Sequence, residues 1–410
     1  MQPLLRLMIT SLFGWSLLAA IPARADEITG WKQHAILRGD GEGGWTAQSA
    51  EFQFRHKKGG KFVLPFGIIQ MSNGEVLLLA SWHDGQLEKP VIAFSKDRGD
   101  TWTEFALIST GPPPTETGAG DLHALSGRPM MLTDLGKGRL TFQSDKRYFS
   151  SDFGHTWNES VPRQPSDTGL NWGVEGNASV DHNSSGAAMR VAEIGWYYEA
   201  GKQHPIGDAT GAIRWSDDGC KTWKDEVRPP QWKFTVEYNG NKQIRGVSEG
   251  SLVRAHNGWL VAALRTDMPP RYFGQPNDDS LEGTAVSISK DDGRTWSGLN
   301  MIYDAGRHHA HLLAMPDGRL VMTVIVRDDV RQGKLASYRR GCDAIVSPDN
   351  GLTWNREGRF ILDEFEFFDG EKWFNGETGH LCSTVLNDGS ILTVYGKYLS
   401  KGVNLIRWKP

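Results

Sequence analysis

The octapeptide SKDDGRTW, Ser289–Trp296, combines turn-forming residues with a tryptophan that a folded protein has to bury. Aspartate and serine can bond the backbone of a tight turn, and glycine adopts a positive φ without steric cost. The pattern S-x-D-x-G-x-T-W recurs along the chain. Its five copies are SKDRGDTW from Ser95, SSDFGHTW from Ser150, SDDGCKTW from Ser216, SKDDGRTW from Ser289 and SPDNGLTW from Ser347. In the third copy Cys220 replaces the glycine.

Short strands with hairpin turns surround these octapeptides. Segments such as MSNGEVLLLAS, residues 71–81, and LNDGSILTV, residues 386–394, place Asn-Gly or Asp-Gly before an apolar run. The octapeptides start 55 to 73 residues apart, a spacing that accommodates four strands per unit. Repeated four-stranded units of this kind are typical of a β-propeller. The sequence therefore predicts an all-β fold.

The number of units follows from the octapeptides and the C-terminal segment. Five units contain an octapeptide, and residues 380–408 supply three further strands without one. The segment KQHAILRG, residues 32–39, is expected to add a fourth strand to this last unit by pairing the two chain ends. Such closure removes exposed sheet edges. We therefore expect a six-bladed β-propeller that forms a single domain from residue 26 to residue 410.

The first 25 residues read as a cleaved signal peptide. Arg6 precedes the apolar run LMITSLFGWSLLAA, and Ala23 and Ala25 form the small-x-small pattern of a cleavage site. The run is short for a membrane span, and no later segment is comparably apolar. We expect a secreted or periplasmic protein that begins at Asp26 and keeps no integral membrane segment.

Composition excludes several classes of protein. The 410 residues contain 45 basic and 49 acidic side chains, so the formal charge of −4 gives no reason to expect nucleic-acid binding. Three cysteines are too few for a disulfide framework, and the sequence leaves open whether Cys342 and Cys382 pair. No cofactor is expected.

The five octapeptides resemble the Asp boxes, or BNR repeats, of the sialidase superfamily. The resemblance extends over the whole chain after the signal peptide. It implies a six-bladed propeller of the sialidase type with Asp-box turns on its outer rim and a sugar site near the central axis. Because such turns also occur in many proteins that are not sialidases, function has to be argued from the site.

Two arginines and a glutamate match positions of the family site. Glu249 in GVSEGSLV and Arg265, which follows it by 16 residues, correspond to a family glutamate and arginine. The resemblance implies that Glu249 polarises the nucleophile and that Arg265 binds a substrate carboxylate, while a structural ion pair is the alternative interpretation. Arg339 stands where a second family arginine is expected, with Arg340 as a neighbouring substitute.

The match fails at two positions that bear on the chemistry. In FVLP, Phe62–Pro65, Val63 occupies the position of the family's first arginine, and in GHLCSTV His380 occupies that of the catalytic tyrosine. Histidine is a good acid or base near neutral pH, so we expect Glu249 and His380 to form a central dyad. Asp84 in SWHDG is the expected general acid, with Glu88 as a second candidate.

The segment RHHAHLL, residues 307–313, contains a His-x-His pair. On a regular strand His309 and His311 face the same side, and we expect both to contact substrate. A third metal ligand is not evident nearby, so no metal site is expected. His123 and Glu175 are weaker candidates by the same reasoning about inner strands.

These features favour an exported sialidase-like glycoside hydrolase that acts on a terminal acidic sugar of a glycan or polysaccharide. That sugar is either sialic acid or a uronic acid. One alternative is a polysaccharide lyase on a uronate polymer, using histidine, an arginine and a tyrosine such as Tyr338. The other is a non-catalytic glycan-binding propeller, in which Val63 and His380 mark a lost active site.

Overall fold

The computed structural model describes residues 31–39, 45–52, 62–83, 87–110, 124–198, 209–238, 240–267, 282–331, 334–367, 378–397 and 402–410. The expected signal peptide and Asp84 lie outside these ranges. Within them the chain forms β-strands and one 3-10 helix, Pro230–Trp232. No helix in the described part of the chain is both long and apolar enough to cross a membrane.

Thirty strands follow one another along the described part of the chain. The first ten are β1 (Lys32–Arg38), β2 (Trp45–Phe52), β3 (Phe62–Gln70), β4 (Val76–His83), β5 (Glu88–Ser95), β6 (Ala106–Leu107), β7 (Met130–Gly136), β8 (Arg139–Gln143), β9 (Lys146–Ser150) and β10 (Glu159–Pro162). The next ten are β11 (Gly173–Val174), β12 (Ser179–His182), β13 (Ala188–Tyr198), β14 (Ala209–Ser216), β15 (Lys224–Val227), β16 (Phe234–Tyr238), β17 (Asn241–Arg245), β18 (Val247–Arg254), β19 (Leu260–Thr266) and β20 (Gly283–Ser289). The last ten are β21 (Asn300–Tyr303), β22 (Arg307–Ala314), β23 (Leu320–Val326), β24 (Asp329–Arg331), β25 (Lys334–Ser337), β26 (Arg339–Ser347), β27 (Phe360–Glu366), β28 (Thr378–Val385), β29 (Ile391–Lys397) and β30 (Gly402–Trp408).

These strands form small antiparallel sheets in which neighbours along the chain pair. Three sheets have four strands: β3 to β6, β7 to β10 and β18 to β21. A fourth sheet contains β11 to β15, and a nine-stranded sheet runs in the order β22-β23-β26-β27-β1-β2-β30-β29-β28. The first strands contact one another in sequence, from β3 through β7, β12, β18, β22 and β28 back to β3. The all-β prediction is confirmed, and the sheets have a propeller-like arrangement.

The two chain ends pair in one sheet, but not through the strand expected from the sequence. The segment KQHAILRG forms β1, which pairs with β27, as in Leu37 opposite Ile361, and with β2. It is β2 that pairs with the C-terminal strand β30, as in Ser49 opposite Ile406. The hairpin of β1 and β2 thus joins two groups of strands and covers an edge of each.

The repeated octapeptide encodes its own turn. In SKDDGRTW, Ser289 and both polar groups of Thr295 donate hydrogen bonds to the Asp291 carboxylate at 2.6 to 2.9 Å. The N–H of Gly293 donates to Ser289 Oγ at 2.7 Å, and the indole N–H of Trp296 donates to the Gly293 carbonyl at 3.1 Å. Eight residues therefore satisfy most of the turn's polar groups locally.

The third copy forms the same kind of turn without the usual glycine. Cys220 adopts a φ of +73°, and its N–H donates to Ser216 Oγ at 2.8 Å. Its side chain is fully buried in a core cluster with Leu135 and Trp223. The structure also answers the question about disulfides, since Cys220, Cys342 and Cys382 are all free and buried.

We expect Gly→Ala substitutions in different turns to lower the free energy of unfolding by different amounts. Gly293→Ala forces a φ near +83° on alanine and places Cβ 2.3 Å from Trp215 Cζ2. Gly258→Ala is a matched control, because its φ of +87° is similar but no atom lies within 4 Å of the new Cβ. The control should cost about 1 kcal/mol and Gly293→Ala about 2 to 4 kcal/mol in urea unfolding. Equal losses would show that packing against Trp215 contributes nothing.

Candidate active site

A β-bulge interrupts the first strand of each of five groups of strands, close to the strand's beginning. The bulges lie between Pro65 and Gly67, Met130 and Thr133, Val247 and Gly250, His308 and His311, and Thr378 and Leu381. Each adds one residue to the first strand relative to its partner. Bulges redirect side chains and are common beside active sites.

The residues at these bulges include the central side chains of the candidate site. Phe66, Glu249, His309 and His380 each lie within one of the bulged segments. The His380 ring lies 4.3 Å from the Phe66 ring and 4.6 Å from the His309 ring, measured between centroids. His309 also has a φ of +49°, which is unusual for a residue other than glycine. The bulges thus bring side chains of three groups of strands together.

Glu175 joins the two central histidines. It follows β11, at the interruption between β11 and β12, which both pair with β13. One of its oxygens, Oε1, lies 2.7 Å from His309 Nδ1 and 2.6 Å from His380 Nδ1. These are short hydrogen-bond distances, typical of bonds to a charged group. Glu175 is therefore the hub of the cluster.

Glu249 and Arg265 are also brought together, as the sequence suggested. Arg265 Nη1 donates to Glu249 Oε1 at 2.5 Å, and Arg265 also pairs with Glu282. The second oxygen of Glu249 lies 3.1 Å from His309 Nδ1. The Arg265 side chain is only 5 % exposed, and two carboxylates of the protein itself, those of Glu249 and Glu282, already pair with it. The expected direct dyad of Glu249 with His380 is not formed, because Glu175 is the carboxylate that bonds His380.

Burial and neighbouring charges shift the pKa values of the cluster in opposite directions. Burial would raise the pKa of Glu175, but His380 and His309 lower it well below the ordinary carboxyl value. Burial would also raise the pKa of Glu249, but the positive charge of Arg265 outweighs this effect and the pKa is lowered. Burial opposes protonation of His309, yet Glu249 and Glu175 raise its pKa to about 9. Burial lowers the pKa of His380, although Glu175 opposes the change.

Arg327 acts against the charge on His309. Its Nη2 lies 3.3 Å from His309 Nε2, and a positive charge there disfavours a second proton on the ring. Two carboxylates approach the other ring nitrogen more closely, at 2.7 and 3.1 Å. The net effect favours a cationic His309 and a neutral His380 at neutral pH. Environments that separate pKa values in this way are characteristic of acid–base catalysis.

Among the described residues, two sets of side chains have the composition of a metal site. Glu175, His309 and His380 form one set, and Glu249, His308 and His309 form the other, each with potential ligand atoms within 4.8 Å. Zinc bonds of 2.0 to 2.1 Å in a tetrahedron separate ligand atoms by about 3.3 Å. In the first set the carboxylate oxygen lies 2.6 and 2.7 Å from the two nitrogens, which are N–H···O distances. We therefore describe the cluster as hydrogen-bonded.

Among the described residues, the other predicted site residues have their partners outside this cluster, and His123, like Asp84, lies outside the described ranges. Arg339 donates to Asp343 and, at 2.9 Å, to Glu364, while Arg340 pairs with Asp328 at 2.9 Å. His311 does not act with His309, because the bulge separates their environments. Burial lowers the pKa of His311 to about 4, and its Nδ1 accepts a bond from the Ser383 N–H at 3.3 Å.

Sequence reasoning underrated or missed several residues of the site. Glu175 was only a weak candidate, and Phe66, Glu282, Arg327 and Arg128 were not predicted. Arg128 lies near the cluster, with its guanidinium carbon 5.6 Å from the Phe66 ring centroid. The expected position of Glu175 near an inner strand indicated that it could face the site. The segment GRPMML around Arg128, residues 127–132, contains no motif that indicates a site.

Removal of the charge on His309 should change how stability depends on pH. The folded pKa of about 9 exceeds the unfolded value of about 6.5, so this stabilisation is present below about pH 6.5 and is lost as pH rises through 9. In wild type this loss should lower the free energy of unfolding by on the order of 3 kcal/mol across that window, and His309→Gln should abolish the decrease, as measured by urea unfolding. His256→Gln, at an exposed turn, is the control. The same slope in both variants would assign the effect to other groups.

Comparison with curated proteins finds a weak relative. A sialidase from Bacteroides fragilis (strain YCH46) is 23% identical over 360 residues, which cover 68% of this chain and 61% of the relative. The chain thus spans less than two thirds of that relative's length. No protein-family model matches the chain.

Comparison with solved structures concerns the fold. A protein of unknown function from Dyadobacter fermentans DSM 18053 aligns with a TM-score of 0.59 at 16% identity, covering 93% of this chain and 100% of that one. The Hadza microbial sialidase Hz136 aligns with a TM-score of 0.52 at 15% identity, covering 85% of this chain and 66% of that one. At these identities the two alignments concern the fold alone, and they agree with the propeller-like arrangement of the sheets.

Proposed function

We propose that the protein is an exported sialidase-like glycoside hydrolase that removes a terminal acidic sugar from a glycan or polysaccharide. The observation that carries this proposal is the bonding of Glu175 to two histidines whose pKa values shift in opposite directions. An inert core has no need for such a separation. Export rests on the signal peptide expected in residues 1–25.

His380 has the geometry of a general base. If its Nδ1–H donates to Glu175, the ring is held in one tautomer and Nε2 carries the lone pair. The lowered pKa keeps that nitrogen unprotonated near neutral pH, and the side chain is 11 % exposed. In the proposed reaction His380 takes a proton from water as the oxygen of that water attacks the anomeric carbon. Glu175 is the positioning residue, and it stabilises the imidazolium that forms.

The departing glycosidic oxygen needs a proton as its bond to the anomeric carbon breaks. Asp84 remains the proposed acid for this step, on the sequence argument alone. His309 is less suited to it, because its side chain is 4 % exposed and its Nδ1 faces two carboxylates. We propose that the positive charges of His309 and Arg265 balance the negative charges of Glu175 and Glu249.

We also infer that the single domain, residues 26–410, has six blades. Within the nine-stranded sheet, β22, β23, β26 and β27 form one group of four, and β28, β29, β30 and β2 form another. With the three four-stranded sheets and the sheet of β11 to β15 this makes six groups. The cyclic contacts of their first strands support closure, and the octapeptides then correspond to Asp-box turns.

The proposed activity can be tested with the chain from Asp26. We would incubate it with a panel of sialosides and uronate-containing oligosaccharides, and follow released sugar and near-ultraviolet absorbance together. Release of an intact acidic sugar that is abolished in His380→Gln but retained in the exposed-turn control His256→Gln is the expected result. Rising absorbance instead would indicate a lyase, and binding without turnover would indicate a glycan-binding propeller.

A further inference from the structure

A second pocket is lined by the end of β21 and by the segment that precedes β27. Its volume is about 300 Å³, which is enough for a small ligand. Its polar lining includes Tyr303 and four arginines, Arg307, Arg331, Arg356 and Arg359. None of these residues belongs to the histidine cluster, so the pocket is a separate candidate site.

Two of the four arginines are held by buried carboxylates. Arg307, itself buried, donates to Asp329 at 2.7 Å and to Asp343 at 3.2 Å. Arg331 is largely exposed and donates to both oxygens of Asp329, at 3.3 and 3.0 Å. These two carboxylates therefore fix one side of the pocket and balance the charges of its two arginines.

The other two arginines have more donors to offer a ligand. Arg356 is exposed, and its Nη1 donates to the Ile302 carbonyl at 3.0 Å. Arg359 Nε lies 3.6 Å from Asp343 Oδ2, too far for a hydrogen bond, and has no hydrogen-bond partner among the described residues. Because a guanidinium has five N–H donors in a planar fork, both arginines can donate to a molecule in the pocket.

Tyr303 supplies a further donor. Its hydroxyl oxygen is buried and has no hydrogen-bond partner within the described ranges. Burial and the charge of Asp343 raise the pKa of Tyr303, so the hydroxyl keeps its proton, although the charges of Arg307 and Arg359 oppose this shift. Buried hydroxyl groups are almost always paired in proteins. The groups of this pocket that need partners are thus donors, and they require a ligand that accepts hydrogen bonds.

Two acidic side chains, Asp304 and Glu357, also line the pocket. Both are exposed, and within the described part of the chain neither forms an ion pair with an arginine of the pocket. Solvent screens exposed charges strongly. These two carboxylates therefore oppose a bound anion less than the more deeply placed Arg359 and Tyr303 favour it.

We propose that this pocket binds a tetrahedral oxyanion, a sulfate or phosphate group, through Tyr303, Arg356 and Arg359. Such a group presents more acceptor oxygens than a carboxylate does, and the donors belong to three different side chains. Guanidinium groups bind oxyanions through two parallel hydrogen bonds. The inference does not depend on the proposed hydrolase, because the two sites share no residue. The shared chemistry fits both a free inorganic ion and the ester group of a sulfated or phosphorylated polysaccharide.

Calorimetric titration with inorganic anions tests the site. We would titrate the chain from Asp26 with sulfate, phosphate and acetate at constant ionic strength, and we expect sulfate or phosphate to bind more tightly than acetate. Arg359→Gln should raise the Kd about 10- to 100-fold, because a charged hydrogen bond is lost, and Tyr303→Phe about 3- to 10-fold, because a neutral one is lost. The control Arg98→Gln removes an exposed arginine that pairs with Asp388 at 3.2 Å, and it should bind like wild type.

Unfolding in urea separates a binding role of Tyr303 from a structural one. Without sulfate or phosphate, Tyr303→Phe should be at least as stable as wild type, since it removes a buried hydroxyl that lacks a partner. Added sulfate should stabilise wild type more than Tyr303→Phe or Arg359→Gln. Equal stabilisation of all three would be the general effect of this salt and would overturn the inference. Acetate that binds as tightly as sulfate, or no binding of any of these anions, would also overturn it.

A sulfated disaccharide and its desulfated form distinguish the two sources of the anion. Binding of the sulfated form that is tighter than that of free sulfate, and is weakened in Arg359→Gln, would identify the ester group of a polysaccharide. Tighter binding of the free ion would identify the inorganic anion. Both results support the pocket. Equal binding of the sulfated and desulfated forms, together with an unchanged Kd for sulfate in Arg359→Gln, would contradict it.

Discussion

Glu175→Gln is expected to lower kcat/KM by about 100- to 10,000-fold, the usual contribution of acid–base catalysis. The glutamine loses the charge that both histidines face, and its amide can present either N–H or C=O to His380. The tautomer of His380 is then no longer specified, and the pKa of His309 should fall. Steady-state kinetics on the substrate found in the panel would measure the loss.

Two further measurements separate catalysis from folding in this variant. Glu237→Gln, on the exposed part of the β16–β17 hairpin, removes the same charge outside the cluster and should retain full activity. The His309 ring protons, followed by NMR against pH, should show titration at lower pH in Glu175→Gln. Full activity of Glu175→Gln with an unchanged His309 titration would contradict the assigned role.

Glu193→Gln is expected to lower the free energy of unfolding by about 3 to 5 kcal/mol, because removing one partner of a buried ion pair leaves the other charge buried without compensation. Glu193, on β13, is fully buried and accepts bonds from Arg147 on β9 at 2.6 Å and from Arg214 on β14 at 2.8 Å. Trp223 and Trp172 cover the two guanidinium groups at 4.8 and 4.2 Å. Without the carboxylate, two buried cations face each other.

An exposed pair provides the control for this prediction. Glu159 pairs with Lys221 at 2.6 Å, with side chains that are about half exposed. Glu159→Gln should change the free energy of unfolding by less than about 1 kcal/mol, because solvent screens such pairs. Guanidinium chloride unfolding at constant pH compares both variants with wild type. Similar small changes in the two would mean that water reaches the Glu193 triad.

The fold was predictable because its decisive information is local. Each octapeptide satisfies its own turn through contacts between residues two to four positions apart, such as Ser289 with Asp291 and Asp291 with Thr295. The hairpin dipeptides act over similarly short distances. Pairing of the chain ends was less predictable, because β1 and β2 could each fit beside β30, and only the assembled sheet shows that β2 does.

The site was less predictable because β-bulges break the rule used to read it. Regular alternation places His309 and His311 on one face of a strand. The extra residue between His308 and His311 instead directs His309 toward Glu175, while His311 accepts a bond from Ser383. Similar bulges bring the rings of Phe66 and His380 into contact. A bulge has no reliable signature in a single sequence.

The sequence by itself determined the all-β units and named Glu249, Arg265, His309 and His380, because turns and strand patterns arise from neighbouring residues. Only the tertiary structure decided which of these side chains meet. Glu175 lies 134 residues from His309 and 205 residues from His380, and it reaches both because the first strands of different sheets pack against one another. Such contacts depend on how separate sheets pack, and no local pattern records them.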